Sequence, residues 1–375
     1  MDFGFSPEQE MVRESVHKLL DAQCPPTLVR AMLADERAHA PDLWRHLADL
    51  GLLGILVPAE HGGQGGTLLD LTVVLEEMGK ALLPGPFFAS ALLGTLAIAL
   101  GGSPTQRQSL LPALASGEWR ATLAVGTGDD AGAIATTATT VPAGYRLTGA
   151  IGFVMDAHVA DVLVVPAQTD GGITLFVVEP TAPGVSIDPL RTVDMTRRLC
   201  TVRLDGIVPA AAVLGTVAGG APVIARVLQH ARVGLAVEAI GVAARALELS
   251  VAYANERKQF GRPIGSFQAV KHKCVDMMVG LETARSLVYY AAWAVSEDAA
   301  DAETAVAMAK AYAGDVAKNV TSEAIQVHGG IGFTWEHTIH LYHRRALAIG
   351  AAFGSALDHR ETVADALLAN ISSSA

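Results

Sequence analysis

One change of pattern constrains this chain more than any motif: two long reaches of helical periodicity enclose a reach that reads as strand. In residues 119–220 Val, Thr and Ile rise. Turn residues recur there about every eight to twelve positions, as in Pro142-Ala-Gly144, Gly171-Gly172, Pro180 and Asp205-Gly206. Short alternating runs, Val162-Leu-Val-Val165 and Leu175-Phe-Val-Val178, lie between them. That spacing predicts a small all-β domain, a sandwich or barrel. Residues 1–118 before it read as an N-terminal helical domain. Ser6-Pro7-Glu8-Gln9 sets Ser at an N-cap, Pro at the first helical position and a carboxylate in the first turn. Met11, Val12, Val16, Leu19 and Leu20 then recur at helical spacing. The run from Leu50 to Pro58 predicts a turn and a short extended segment, Glu60 to Gly66 a glycine-rich loop, and Asp70 to Leu83 a helix. Residues 221–375 are helical again, with one strong break before Gly329 at Gln259-Phe-Gly-Arg-Pro-Ile-Gly-Ser266. Ser266 is expected to cap the next helix, whose first turn carries Gln268.

Composition narrows the partners. Hydrophobic residues make up 51% of the chain and charged residues 17%, which is apolar for a soluble protein and predicts surface buried between subunits. A formal net charge of −11 gives no electrostatic footprint for nucleic acid. The longest apolar stretches are broken by charge, Gly or Pro, which argues against a membrane span. The acidic, amphipathic start has no apolar signal segment. Cys24, Cys200 and Cys274 form neither a CxxC pair nor a metal spacing. Their odd, sparse number fits a reducing cytoplasm.

Two clusters carry chemistry. In Glu256-Arg-Lys-Gln-Phe-Gly-Arg-Pro-Ile-Gly-Ser-Phe-Gln268, a guanidinium at a helix end and a glycine-relaxed turn suit a pyrophosphate. Phe260 offers a flat face to a purine, and Gln268 sits near a helix N-terminus that favours an anion. Taken alone, the same residues read first as a plain helix–helix turn with a solvated basic edge, since basic helix ends are common. In Gln326-Val-His-Gly-Gly-Ile-Gly-Phe333, three glycines let backbone approach a ligand or another chain closely. No strand precedes them, so this is neither a P-loop nor a dinucleotide fingerprint.

Together the clusters resemble the acyl-CoA dehydrogenase family, over essentially the full length of the chain. RKQFGRPIGSFQ is similar to that family's RxxFGxxIxxFQ element, and QVHGGIGF to its QxxGGxG(F/Y) element. The resemblance implies a mainly α fold with a central β domain: an N-terminal helical domain (1–118), a small β-barrel or sandwich (119–220) and a C-terminal four-helix bundle (221–375). It implies FAD as cofactor, an acyl-CoA thioester as substrate, a tetramer, and an electron-transfer acceptor as a further partner. In that family the two elements contact FAD held mainly by the neighbouring subunit, so Arg257, Phe260, Gln268, Gln326, Gly329 and Gly330 would be cofactor contacts. The family's reaction needs a carboxylate base near the α-carbon, hydrogen bonds that polarise the thioester, and a dry flavin pocket.

The sequence departs from the family where its own chemistry would lie. The usual base is a glutamate in a Tyr-Glu-Gly-Thr-like stretch; here the place is Ala351-Ala-Phe-Gly-Ser355, with Phe353 at the glutamate position. The alternative base place, at the start of the long helix after the β domain, reads Gln229-His-Ala-Arg232. Glu238 is the nearest acid, seven residues beyond Ala231 and so roughly 10 Å along the same helix face; a buried or interface carboxylate with a structural partner is the plainer reading of it. The family's Thr-Glu-Pro-Gly-Ala-Gly-Ser-Asp-like flavin segment is replaced by Val125-Gly-Thr-Gly-Asp-Asp-Ala131, leaving Thr127 as a partial substitute. Its Trp-Ile-Thr-Asn-Gly-like strand becomes Phe153-Val-Met-Asp-Ala157, and Met155 cannot donate a hydrogen bond to a flavin.

The losses are one-sided, which implies a hetero-oligomer in which this chain completes the FAD site of a homologous, glutamate-bearing subunit. Three other readings remain: a self-sufficient homo-oligomeric dehydrogenase with a relocated base such as Glu238, a non-redox acyl-CoA enzyme, and a structural thioester-binding subunit. His337, His340 and His343 recur every three residues without a completing carboxylate or Cys, so no metal is expected. Arg344 and Arg345, near the vacant base place, are candidates for partner contact.

Overall fold

The structure, a computed structural model, describes residues 5–128 and 134–373, with side chains to residue 369. The first helices are α1 (Pro7–Gln23), α2 (Pro26–Ala34), α3 (Pro41–Asp49), α4 (Leu68–Ala81), α5 (Thr95–Gly101) and α6 (Pro104–Ala115). The strands β1 (Ala121–Leu123), β2 (Thr137–Val141), β3 (Gly144–Met155), β4 (Val162–Thr169), β5 (Gly172–Val178), β6 (Val185–Pro189) and β7 (Leu199–Val208) follow. Next come α7 (Gly220–Glu256), the short strands β8 (Lys258–Gln259) and β9 (Arg262–Pro263), and the helices α8 (Gln268–Ser296), α9 (Ala302–His328), α10 (Ile339–Ala351) and α11 (Ala356–Ser373). The expected class, helices around a central sheet, is the one observed.

By compactness the chain forms two units, one of residues 1–30, 72–83 and 232–375, the other of 31–71 and 84–231. The first is helical. Ser6 caps α1 as the sequence predicts: its Oγ accepts from the Gln9 amide at 3.2 Å, while Gln9 Oε1 accepts from the Ser6 amide at 3.0 Å. The later turns of α4 run against α7 with almost no gap. A Cβ on Gly79 would stand 2.4 Å from the Glu238 carbonyl, and one on Gly241 2.1 Å from the Glu76 carbonyl. So tight a crossing excludes water, and the carboxylates beside it are all partnered. Glu76 takes Arg285 at 3.1 Å and the Tyr289 hydroxyl. Glu77 takes Lys80 at 2.8 Å and His17 at 2.9 Å.

The second unit holds a curled sheet, seven-stranded among the described residues, in the order β1-β4-β2-β3-β7-β6, with β5 on β4. The runs read as strands do pair: Leu163 faces Val178 and Val165 faces Phe176, antiparallel. Leu147, Val154, Leu163, Val165, Phe176, Cys200 and Val202 form the core beneath it. The β3–β7 register shifts between Ile151 and Val154, where Phe153 takes a φ of 56°.

Three local expectations are corrected. Residues 50–58 form no strand; Gly51, at a φ of 71°, turns the chain into a single 3-10 turn, Leu52–Gly54, that buries both leucines. Ser266 does not cap α8. Its hydroxyl donates to the Pro263 carbonyl at 2.7 Å, and Phe267 stands at the N-cap without a side-chain hydrogen bond. A second break precedes Gly329, between α8 and α9, where Asp298 has a φ of 48° and Asp301 accepts from the Tyr290 hydroxyl at 2.6 Å. Among the described residues, no helix is long and apolar enough to cross a membrane.

Two imidazoles set acid sensitivity. Burial, with Arg120 and Arg37 beside it, pushes His39 down to about 4. Burial, then Lys310 and Arg232, pushes His359 down to about 4. Both rings stay neutral in the fold, whereas in the unfolded chain they take up protons below a pH of about 6.5. Their contribution is therefore full above that pH and is lost as pH falls toward 4. The thermal midpoint should drop across this window, and His39→Gln should flatten part of the slope; a midpoint unchanged between these pH values would contradict the assignment.

Candidate functional site

Arg257 follows the last turn of α7, its amide donating to the Tyr253 carbonyl at 2.8 Å. The chain then makes a hairpin: Gln259 pairs with Arg262, and Phe260-Gly261 forms the two-residue tip. Both tip residues have positive φ, 52° and 77°, the geometry of a type I′ turn that usually takes Asn-Gly. Here the first position is a phenylalanine, 92% exposed. A bulky residue held left-handed and in water is strained twice over, by about 1–2 kcal/mol for the backbone alone. Phe267 meets the Phe260 ring edge-on and carries the Arg262 guanidinium at 4.1 Å from its ring centre. Arg257, Gln268 and Gln326 are exposed.

The glycine element begins where α9 ends. Gly329 has φ 62° and ψ −140°, a region open in practice to glycine alone, and a Cβ on Gly329 or Gly330 would meet nothing within 4 Å. Backbone is thus presented bare to whatever docks there. Ring contacts tie the two elements together: Tyr253 of α7 stacks on His328 at 4.7 Å between centroids, and His337 meets His328 at a tilt, 4.5 Å away. An exposed cation, an exposed ring and bare glycine backbone on one unit fit a phosphate-bearing aromatic group offered from outside the chain.

The place where the sequence predicts the base is filled and closed. Phe353 is fully buried, with a φ of 56°, and Gly354 follows at 104°. Arg232, in the other stretch weighed for a base, reaches this turn: its Nε donates to the Phe353 carbonyl at 3.1 Å. Neither place holds a carboxylate. Lys310 of α9 donates to the Ile349 and Gly354 carbonyls at 2.9 and 3.2 Å. Lys310 was not legible as a site residue, although a lysine in the alanine-rich run of α9 is a signal that it faces something polar.

In the second unit, Thr127 is buried and its hydroxyl donates to the Phe153 carbonyl at 3.2 Å. Met155 is buried and Phe153 half-exposed. Asp129, Asp130 and Ala131 lie outside the described residues. The two places that the sequence reading compared with flavin contacts therefore offer a hydroxyl already engaged and a thioether.

Glu238 does not stand open as a base. Its carboxylate pairs with Arg345 in the core of the helical unit, with 3% and 0% of the two side chains exposed. Arg345 also donates to the Leu83 carbonyl at 3.3 Å, so its candidacy for partner contact is withdrawn. The three spaced histidines do not share a face: His337 lies on His328, His340 on Trp335, and His343 meets the Thr321 hydroxyl at 3.0 Å.

Two family profiles match the chain: "Acyl-CoA dehydrogenase, N-terminal domain" over residues 6–118 and "Acyl-CoA dehydrogenase, C-terminal domain" over residues 218–368. Acyl-CoA dehydrogenase IpdE2 of Mycolicibacterium smegmatis is 36% identical over 342 residues, covering 91% of this chain and 93% of that protein. A chain of the ChsE4-ChsE5 complex from Mycobacterium tuberculosis superposes with a TM-score of 0.90 at 31% identity, covering 98% of this chain and 99% of that one. Acyl-CoA dehydrogenase complexed with FAD from Bacillus anthracis superposes with a TM-score of 0.91 at 28% identity, covering 98% and 68%.

Proposed function

The chain belongs to the acyl-CoA dehydrogenase family, and from that premise we propose that it is a base-deficient subunit that completes the FAD site of a homologous, glutamate-bearing partner. The family's enzymes are oxidoreductases acting on a CH–CH bond, with FAD as cofactor. The chemistry supplied by bound FAD is acceptance of the thioester's β-hydride. This chain's own contribution is to binding. Arg257 would pair with the pyrophosphate, Phe260 would cover the adenine, and Gln268, Gln326 and the Gly329-Gly330 backbone would fix the same end of the cofactor.

One observation carries the reading. The residues suited to a cofactor held by another chain are exposed or bare, whereas the base place holds a fully buried phenylalanine whose carbonyl is fixed by Arg232. Erosion without direction would not spare one half-site. The likeness to a chain of the ChsE4-ChsE5 complex supports assembly with a second, related subunit. The substrate is then an acyl-CoA thioester turned over by the pair, with an electron-transfer acceptor downstream.

The visible spectrum tests this. Purified alone, the chain should carry far less than about one flavin per chain and show no bleaching with acyl-CoA. Co-purified with its glutamate-bearing homologue, it should hold about one flavin per pair of chains. Stoichiometric flavin in the isolated chain, bleached by acyl-CoA, would sink the proposal in favour of a self-sufficient dehydrogenase.

A further inference from the structure

Lys310 is 1% exposed, and no carboxylate among the described residues forms an ion pair with it. Its three N–H donors instead meet three carbonyl oxygens: Ile349 at 2.9 Å, Gly350 at 3.4 Å and Gly354 at 3.2 Å. The first two belong to the last turn of α10, where orphan carbonyls and the negative end of the helix dipole favour a cation. The third lies past Phe353, on the far side of the turn. Arg232, from α7, takes the Phe353 carbonyl between them at 3.1 Å. Beneath the turn, from α11, His359 closes the space: a Cβ on Gly354 would come within 2.8 Å of its Nε2.

Two nitrogen donors on two different helices thus hold four carbonyls of the segment 349–354. The segment is not relaxed in itself, since Phe353 has a φ of 56° that a bulky residue seldom adopts unaided. A turn of this kind persists only where its surroundings over-determine it, and Lys310 and Arg232 supply that constraint.

We propose that Lys310 and Arg232 are positioning residues: a two-donor clamp that fixes the 351–354 turn and keeps Phe353 shut in the place of the missing base. The half-site is on this view closed by construction, so a thioester offered to this chain meets an ordered plug and not a slack, decayed loop. The inference rests on the reading of Phe353 as the residue at the base position. Its mechanical content, however, is independent of flavin or partner.

Hydrogen exchange of the intact chain reads the clamp directly. The Ala352 amide donates to the Ala348 carbonyl at 3.1 Å and the Ser355 amide to Asp358 Oδ2 at 2.7 Å, so both report on the turn. Lys310→Met keeps the stem and removes the donors. Exchange at Ala352 and Ser355 should accelerate by about tenfold or more, as expected for losing several hydrogen bonds at one turn. Amides in the middle of α7 and in β3 should hold their rates. A rise spread evenly over the chain would mark Lys310 as a general stabiliser and overturn the proposal, as would no change at the turn. If Lys310→Met does not fold, Arg232→Gln, half-buried at the same turn, provides the same local readout with the same two outcomes. A chain that bleaches its own flavin would refute the proposed function and leave this measurement standing; unclamped exchange behaviour would refute the clamp alone.

Discussion

Arg345→Met will destabilise the chain by about 3–5 kcal/mol. The guanidinium is fully buried and pairs with Glu238, itself 3% exposed, while a second nitrogen donates to the Leu83 carbonyl. Removing Arg345 takes the cation away from a carboxylate that is only 3% exposed. An uncompensated buried charge, not the lost attraction, dominates the effect. The double change Glu238→Leu with Arg345→Met should recover most of the stability, because a well-packed apolar pair replaces both charges. Urea unfolding of the two variants decides the matter: a single variant as stable as the parent, or a double variant no better than the single, would show that the pair is not desolvated as drawn. The same experiment bears on function, because a carboxylate this committed is poorly placed to remove a proton.

Arg257→Ala, made in the co-purified assembly, should weaken flavin binding by about ten- to a hundredfold. A charge-assisted hydrogen bond to a phosphate is worth about 1.5–3 kcal/mol. Arg257 is exposed and makes no side-chain ion pair among the described residues, so the thermal stability of the chain itself should barely move. Titrating FAD into the apo-assembly by fluorescence quenching gives the constant. A flavin affinity unchanged by this substitution would mean that the partner's cofactor is not held by this surface. Loss of affinity together with loss of fold would be uninformative about the phosphate, which is why the exposed residue is the better choice than buried His328.

Much of the fold was legible because its signals are local. Ser6 and Pro7 announce a helix start through chemistry confined to one turn, and the strands of 119–220 announce themselves through turn spacing. The candidate cofactor surface was legible for the same reason: Arg257 to Gln268 and Gln326 to Gly330 are contiguous strings. What sequence could not display are partners far apart in the chain. Glu238 and Arg345 meet across 107 positions, and nothing near either residue names the other. Lys310 reads as one charge in an alanine-rich helix until α10 and its turn fold over it. Ser266 shows the reverse error, a good capping residue one position too early, whose hydroxyl turns back to Pro263 because the hairpin has already claimed that stretch of backbone. The acidic break at residues 297–301 was missed because it lacks Gly and Pro, the usual punctuation.

The hairpin tip has a consequence for the life of the chain outside its assembly. A phenylalanine held in water by a strained turn, beside a two-stranded edge, is what chaperones and proteases are built to notice. On the proposed reading, copies synthesised in excess of the partner keep that flag raised, and only assembled copies lower it. The supply of this subunit would then be trimmed to match its partner's without any dedicated regulator, the count being kept by one aromatic ring.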